Sequence, residues 1–227
     1  MLYLHETIDI IGDGQQAYLE SVGERAVHSE REGLSRLVGT WRVIGSTNRW
    51  PRVVNLWEMD GWHQWAETLE RQFLPEKRDP HLAPWWSNAT QWRSGGFDRI
   101  LEPTAYAPTR EELSLRRLRA WVCVQSIVRL SRGQRGVYLD AVGNRLRPLL
   151  EARGLTLMGS YSVPMRSDDA IVLWAAPDFR VLCGEYARRR SDADLQQWGA
   201  WVSALREEFE TTWMVPSADC FFHPAKA

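Results

Sequence analysis

The amino-acid sequence predicts an α+β fold in which two tandem ferredoxin-like βαββαβ units pack sheet to sheet as one α+β barrel. In residues 1–105 the hydrophobic patterns follow the ferredoxin-like order of strand, helix, strand, strand, helix and strand. The same order returns in residues 118–227, so each half can cover the sheet face that the other leaves bare. Residues 106–117 are charged and contain a proline, which is typical of a solvated linker.

The first half begins with a strand-like run over residues 1–9, in which aliphatic residues alternate weakly with aromatic and polar ones. Apolar side chains at helical spacing predict a helix over residues 15–32. Two runs rich in β-branched and aromatic residues follow, over residues 36–45 and 52–59. Because only a turn separates these runs, we predict that they form a hairpin.

The rest of the first half is rich in tryptophan. In residues 62–73 the apolar side chains recur every three or four positions, which predicts an amphipathic helix. A second helical pattern covers residues 81–95, and residues 99–103 form a short strand that stops at a proline. The whole chain has 13 tryptophans. So many large side chains favour an aromatic-lined interior, a ligand cavity or a large subunit interface.

The second half repeats landmark residues of the first at nearly constant spacing. Leu56 and Trp57 return 117 positions later as Leu173 and Trp174. Four residues of the preceding strand return 120 positions later: Leu37, Gly39, Trp41 and Val43 correspond to Leu157, Gly159, Tyr161 and Val163. Because the spacing changes only where a loop intervenes, we interpret the two halves as equivalent units.

The composition excludes several classes of function. A formal net charge of −1 gives no field that would attract nucleic acid or an anionic membrane, so neither is an expected partner. The three cysteines lack the spacing of a zinc site, and we predict neither a metal nor a cofactor. With no basic leader and no apolar run long enough to span a membrane, the chain is predicted to be cytoplasmic.

The hairpin carries a resemblance to a known family. Its two strands contain the runs Leu37-Val38-Gly39-Thr40-Trp41 and Val53-Val54-Asn55-Leu56-Trp57, with a glycine at position 45 between them. This pattern resembles the signature of the NIPSNAP family, which belongs to the dimeric α+β barrel superfamily. The resemblance is good in the first half and weaker in the second. Family members usually have a histidine where this chain has Asn55.

The resemblance implies a fold more than a reaction. The superfamily includes cofactor-free monooxygenases, isomerases, polyketide cyclases, lyases and haem proteins. Haem is disfavoured for this chain because no histidine lies on an apolar helix face where it could be an axial ligand. The resemblance permits a scaffold or a ligand-binding protein as readily as an enzyme, and it is compatible with a homodimer.

Alternation along the strands suggests which side chains face the barrel interior. Val54 and Leu56 are aliphatic, as are their counterparts in the second half, so we expect them to pack under the helices. Asn55 and Trp57, and likewise Val172 and Trp174, would then point between the sheets. The same reasoning places Tyr3, His5 and Gln125 in the interior. The pattern does not decide the orientation of Trp41 and Tyr161.

His5 is the predicted catalytic residue. An imidazole that titrates near neutral pH suits proton transfer without a metal, and we expect His5 to lie in an aromatic pocket with Trp41, Asn55 and Trp57. The alternative is that His5 only forms a hydrogen bond inside the barrel. The predicted substrate-binding residues are Tyr3, Trp41, Asn55, Trp57, Gln125, Tyr161 and Trp174.

The leading functional hypothesis is a cofactor-independent enzyme that acts on a hydrophobic, aromatic small molecule as a cyclase, isomerase or lyase. A non-catalytic ligand-binding or scaffold protein is the alternative, and a cofactor-free or haem-dependent oxygenase is a lesser one. Glu6 and Glu58 are expected at edge or surface positions. The C-terminal segment around Phe221 and Phe222 is expected to be frayed, with a plug across the barrel as the alternative.

Overall fold

Eight antiparallel strands close into a barrel in the order β1-β3-β2-β8-β5-β7-β6-β4. The computed structural model describes residues 1–226; Ala227, the last residue of the predicted second half, lies outside the described residues. The strands are β1 Leu2–Ile10, β2 Arg36–Val43, β3 Arg52–Met59, β4 Arg93–Pro103, β5 Val122–Leu130, β6 Thr156–Ser162, β7 Asp169–Ala176 and β8 Arg206–Pro216. The predicted α+β barrel of two ferredoxin-like units is confirmed.

Helices cover the outer wall of the barrel and one of its ends. They are α1 Gln15–Arg31, α2 Trp62–Phe73, α3 Leu82–Ala89, α4 Arg110–Leu115, α5 Arg135–Ala141, α6 Arg147–Glu151, α7 Phe179–Arg188 and α8 Ala193–Leu205. A π-helical turn, Val142–Leu146, joins α5 to α6. Among residues 1–226, no helix has the length and apolar character needed to cross a membrane.

The two halves have the same internal pairing. Strands β1 to β4 lie in the order β2-β3-β1-β4, and strands β5 to β8 lie in the corresponding order β6-β7-β5-β8. The register slips at the same place in each half, between Leu37 and Gly39 and between Leu157 and Gly159. The halves join along two short seams, β2 with β8 and β4 with β6.

Two glycines make room for aromatic rings inside the barrel. A Cβ atom on Gly39 would lie 2.5 Å from the indole of Trp41, and one on Gly159 would lie 2.2 Å from the phenol of Tyr161. The aromatic side chain therefore lies over the glycine two residues before it in both halves. This contact explains why the pattern of glycine, any residue and aromatic residue occurs at equivalent positions.

The third helix of the first half is shorter than predicted. It ends at Ala89, whereas the helical pattern extended to residue 95. Strand β4 begins at Arg93 rather than at residue 99, and its first residues pair with β1 as far as Ile10. Strand pairing supplies hydrogen bonds to a Ser-Gly-Gly segment that has little helix propensity of its own, so tertiary structure decides its conformation.

One end of the barrel is closed by segments that the sequence pattern placed in solvent. Leu113, in helix α4 within the predicted linker, is fully buried in the barrel core. Phe222 is also fully buried, and its ring stacks on that of Trp41 with 5.9 Å between centroids. The expectation of a frayed C-terminus is therefore wrong, because the two phenylalanines supply apolar surface that the open barrel end can bury.

The predicted orientation of β3 and β7 is also wrong. Val54 and Leu56 belong to the cluster inside the barrel, and Trp57 packs beneath helix α1. The pairing shows why: Leu56 lies opposite His5, and residues directly opposite in an antiparallel pair share a face. Because this barrel is filled with aliphatic side chains, both faces of the strand are apolar and alternation alone cannot tell them apart.

Candidate functional site

Five of the predicted site residues lie inside the barrel: Tyr3, His5, Trp41, Gln125 and Tyr161. His5 and Gln125 occupy equivalent positions in the two halves, and their side chains meet, with 2.6 Å between His5 Nε2 and Gln125 Oε1. The rings of Tyr3 and Tyr161 are 4.9 Å apart. The interior positions predicted for Tyr3, His5 and Gln125 agree with the structure, and Trp41 and Tyr161 join them.

His5 is fully buried, and burial is the main reason that its pKa is lowered to about 4. The nearby positive charge of Arg99 lowers the pKa further, whereas the hydrogen bond to Gln125 raises it. At neutral pH the imidazole is uncharged, and Nε2 donates to the Gln125 oxygen, which leaves Nδ1 as the acceptor nitrogen. Nδ1 has no hydrogen-bond partner in the described part of the chain. The catalytic role of His5 stays a prediction.

The lowered pKa of His5 has a consequence for stability. The unfolded chain takes up the proton near pH 6.5 but the folded chain only near pH 4, so stability is greatest above pH 6.5 and falls as the pH drops between these values. We expect His5 to account for a loss of about 3 kcal/mol in unfolding free energy over this range. Urea unfolding of wild type and His5→Gln at a series of pH values measures it as the difference between the two curves.

The control for this experiment is His63→Gln, because His63 is exposed in helix α2. It should follow the wild-type curve. A His5→Gln curve parallel to wild type throughout would mean that His5 titrates normally in the folded protein.

The predicted pocket around His5 is not formed as expected. Asn55 and Trp57 are on the opposite face of the sheet, beneath the helices of the first half, so the barrel wall separates them from His5. Trp174 lies in the corresponding layer of the second half. The predicted substrate-binding residues are therefore divided among three places: the barrel interior and the two layers between sheet and helices.

Beneath the helices of the first half, a buried carboxylate organises a polar network. Glu6 accepts hydrogen bonds from Trp57 Nε1 at 2.7 Å and from Asn55 Nδ2 at 3.0 Å. Arg25 approaches its other oxygen at 3.7 Å, and Thr40 donates to Asn55 Oδ1 at 2.6 Å. Only 2% of Glu6 is exposed, so the expected edge position is wrong.

Glu58 is likewise buried rather than at the surface. Its carboxylate accepts from the Tyr3 hydroxyl at 2.8 Å, from the Arg110 backbone at 2.8 Å and from Arg36 Nε at 3.1 Å. Burial, as well as the nearby charges, raises the pKa of the Tyr3 hydroxyl, which therefore stays protonated as a donor. Both glutamates are stabilised by several donors, and strand alternation contains no information about such partners.

In the second half the same layer contains a cavity of about 510 Å³. Ser126 and Val172 pair across β5 and β7, as Glu6 and Asn55 pair across β1 and β3. A serine and a valine thus stand where the first half has a carboxylate and an amide. The smaller, less polar pair lines the floor of the cavity and forms no counterpart of the network that fills the first half.

The cavity has an apolar floor and opens between helices α7 and α8. Buried side chains from β5, β7, the two helices and the loop before β6 form the floor: Val124, Leu155, Val172, Trp174, Leu182 and Val202. Exposed residues form the rim, and Ala200 on α8 is one of them. Aromatic side chains surround the space, namely Tyr138, Trp174, Tyr186, Trp198 and Phe209. A volume of this size and character suits a drug-sized apolar ligand.

One buried carboxylate faces this apolar space. Glu185 lines the cavity and is buried, and Arg153 donates to its Oε1 at 3.1 Å. Its Oε2 accepts no hydrogen bond in the described part of the chain, and Arg188 Nη1 forms an ion pair with it at 3.8 Å. The Tyr186 hydroxyl also lacks a partner there. A carboxylate oxygen with a free lone pair in an apolar cavity can accept a proton.

The wall of the cavity includes the π-helical turn Val142–Leu146. Pro148 has no N–H to donate to the preceding turn, and a widened turn is one way for a helix to accommodate that loss. The corresponding helix of the first half, α1, is a regular α-helix. The turn carries Leu146 into the cavity wall.

Histidine, cysteine and acidic side chains are the groups that would hold a metal ion, and histidine is the usual axial ligand of a haem. Within residues 1–226, no group of three histidine, cysteine or acidic side chains could hold a metal ion. No histidine lines the cavity of the second half, so that space offers no imidazole as an axial ligand for haem.

The sequence did not predict this cavity, because the hairpin of the first half contains more polar and aromatic residues and was the expected place for a site. Comparison of the two repeats does contain evidence for the cavity. Glu6 and Asn55 correspond to Ser126 and Val172, so at two paired positions the second half has smaller and less polar side chains than the first.

Comparisons with known proteins support the fold. No family model and no curated protein matches the sequence. An anthrone oxidase-like protein of known structure is similar over 95% of this chain and 91% of its own, with a TM-score of 0.66 and 10% identity. A heme-binding protein from Thermus thermophilus is similar over 96% of this chain and 91% of its own, with a TM-score of 0.51 and 15% identity.

NIPSNAP proteins of known structure were also compared with this chain. An uncharacterized NIPSNAP domain protein from Burkholderia xenovorans matches 48% of this chain along its whole length, with 20% identity and a TM-score of 0.40. NIPSNAP proteins are thus among the structural neighbours, at low identity. Membership of that family stays a prediction.

Proposed function

We propose that this protein binds a planar, hydrophobic aromatic molecule in the cavity of the second half and acts on it by proton transfer without a cofactor. The observation that carries the proposal is the cavity of about 510 Å³, whose lining combines an apolar floor with the buried carboxylate of Glu185. One oxygen of this carboxylate accepts no hydrogen bond from the described residues. This moves the predicted aromatic site from the barrel interior to the space beneath α7 and α8.

The side chains favour an aromatic ligand. Five aromatic residues line the cavity, and their rings can pack against a flat ligand face to face or edge to face. At the rim, Arg189 and Arg206 can interact with a polar substituent that reaches solvent. The structural similarity to an anthrone oxidase-like protein agrees with a polycyclic ligand.

Glu185 is the proposed proton acceptor. In this step Oε2 takes a proton from an acidic C–H or O–H group of the ligand, and the electron pair left behind is delocalised into the aromatic system. Arg153 holds Oε1 and fixes the orientation of the carboxylate. Such a step is common to cyclases, isomerases and lyases that work without a metal.

A non-catalytic binding protein is the second candidate function. It is favoured by the ion pairs of Glu185 with Arg153 and Arg188, because a carboxylate that joins two arginines can be purely structural. Under this alternative the cavity binds the ligand and releases it unchanged.

Blocking the mouth of the cavity tests ligand binding. Ala200→Trp places an indole on the exposed rim, and we expect it to weaken binding of anthrone or 2-naphthol at least about tenfold, because part of the buried contact area is lost. Isothermal titration calorimetry measures the change. Ala204→Trp, at an exposed position of the same helix that does not line the cavity, is the matched control and should bind like wild type.

An activity measurement with the same aromatic ligands distinguishes an enzyme from a binding protein. Incubation of wild type with ligands that bind, followed by product analysis and oxygen measurement, should reveal turnover that Glu185→Gln reduces by a factor on the order of 10² to 10⁴ while binding persists. Equal turnover in Glu185→Gln would remove this residue from the mechanism, and oxygen consumption would favour the oxygenase alternative. If no planar aromatic molecule binds, or if Ala200→Trp binds like wild type, the proposed site is wrong.

A further inference from the structure

The mouth of the barrel contains an arginine, Arg99, whose Nε and Nη1 atoms have no hydrogen-bond partner among the described residues. Arg99 on β4 lies directly opposite His5 on β1, so both side chains face the barrel interior. Its guanidinium stacks on the ring of Phe97, with 4.3 Å to the ring centroid. Arg166, from the loop between β6 and β7, contacts the same ring at 4.6 Å. Two cations therefore share one aromatic ring at this opening.

Several polar atoms beside Arg99 are also unsatisfied. Within the described residues, Arg99 Nε and Nη1, His5 Nδ1 and Thr7 Oγ1 are buried and have no hydrogen-bond partner. His5 is fully buried and Thr7 is more than nine-tenths buried, and both are on the inward face of β1. Buried polar atoms without partners are unfavourable, and a cluster of them indicates that something polar belongs between them.

The carboxylates around the mouth already have partners. Asp9 pairs with Arg52, Asp169 pairs with both Arg129 and Arg166, and Glu210 accepts from Asn48. The pKa of Arg99 is lowered, first by burial and then by the charge of Arg166, while Asp169 and Glu210 oppose this effect from a distance. Arg99 itself therefore has no carboxylate in direct contact within the described residues, and its charge is not neutralised by an ion pair.

The barrel itself does not require an arginine at this position. Arg99 corresponds to Thr212 in the second half, and Thr212 is satisfied by a 2.6 Å hydrogen bond from Asn48. His5 likewise corresponds to the neutral Gln125. The cation and the imidazole occur only in the first half, so packing of equivalent strands does not explain them.

We propose that the mouth of the barrel is a second ligand site, which binds a small oxyanion or the carboxylate of a small organic acid through Arg99. Arg166, which also pairs with Asp169, lies beside Arg99 at the entrance, and Thr7 and His5 supply polar atoms below it. The site is distinct from the aromatic cavity, because Gln125 of β5 faces the barrel whereas Ser126 faces the cavity on the other side of the sheet. The partly exposed Phe97 and Arg99 leave an entry path from solvent.

Calorimetric titration tests the site with two probes, sodium sulfate for an inorganic oxyanion and sodium acetate for a carboxylate, in a chloride background of matched ionic strength. We expect at least one probe to bind saturably to wild type. Arg99→Gln should weaken that binding about tenfold or more, because a charge-assisted contact is lost. Arg42→Gln is the matched control: it removes the same charge from an exposed position and should bind like wild type.

A second measurement keeps the test independent of how well a variant folds. In ¹⁵N-histidine-labelled wild type, the bound anion should raise the pKa of His5 above its value of about 4, because a nearby negative charge favours the imidazolium. If Arg99→Gln is unstable, Arg99→Met provides the same comparison. Saturable binding that Arg99→Gln leaves unchanged would overturn the proposal. So would a lack of binding by both probes, in which case the mouth contains ordered water only.

Discussion

Replacing Glu6 with leucine is expected to lower the free energy of unfolding by about 3–5 kcal/mol. The change removes the acceptor for the Trp57 indole and the Asn55 amide, and it leaves Arg25 beside an apolar side chain. Each of these groups is then desolvated without compensation, and Arg25 keeps its contacts with the rings of Trp57, Trp85 and Trp86. Chemical denaturation with urea gives the difference in unfolding free energy.

The matched control is Glu207→Leu, because Glu207 is an exposed carboxylate on strand β8. Its effect should stay within about 0.5 kcal/mol, as for most surface substitutions. A Glu6→Leu variant as stable as this control would show that the network around Glu6 contributes little, and that packing alone holds the first-half helices on the sheet.

Phe222→Ala is expected to be similarly destabilising, by about 3–5 kcal/mol. The phenylalanine ring is fully buried at the end of the barrel, where it stacks on Trp41, and its removal leaves a space that the rigid strand ends cannot fill. Thermal unfolding followed by circular dichroism measures the loss. The near-ultraviolet signal should change as well, since Trp41 loses its aromatic neighbour.

Phe73→Ala is the comparison for this variant, because Phe73 at the end of helix α2 is 64% exposed. It should leave the unfolding temperature almost unchanged. If Phe222→Ala behaves in the same way, the C-terminal segment does not close the barrel in solution, and the original expectation of a frayed end would be restored.

The order of elements could be predicted because helix and strand periods are local properties of the chain. The repeat of the hairpin at nearly constant spacing then indicated two equivalent units, and unpaired sheet faces required that they pack together. It was harder to predict which face of each strand points into the barrel. Val54 and Asn55 are both buried, on opposite faces of β3, so the choice between them depends on the residues of β1 that lie opposite.

The candidate site was less accessible to sequence reasoning for a different reason. A cavity forms where side chains are too small to fill the available space. Ser126 and Val172, taken alone, do not predict such a space. Glu185 is a single carboxylate on an amphipathic helix, a position that is usually exposed. Only its neighbours in space, Arg153 and the floor of the cavity, distinguish it from the other acidic residues of the chain.

Because both units are part of one chain, one unit can stabilise the barrel while the other provides the ligand cavity. A symmetric dimer must meet both requirements with a single sequence. In a dimer of identical subunits, any substitution that enlarges a cavity is made twice, and its cost in stability is doubled. Here the Glu6 network and the Ser126 cavity are encoded independently. The lining of the cavity can therefore change for a new ligand while the opposite unit keeps the barrel folded, which relaxes the usual conflict between stability and function.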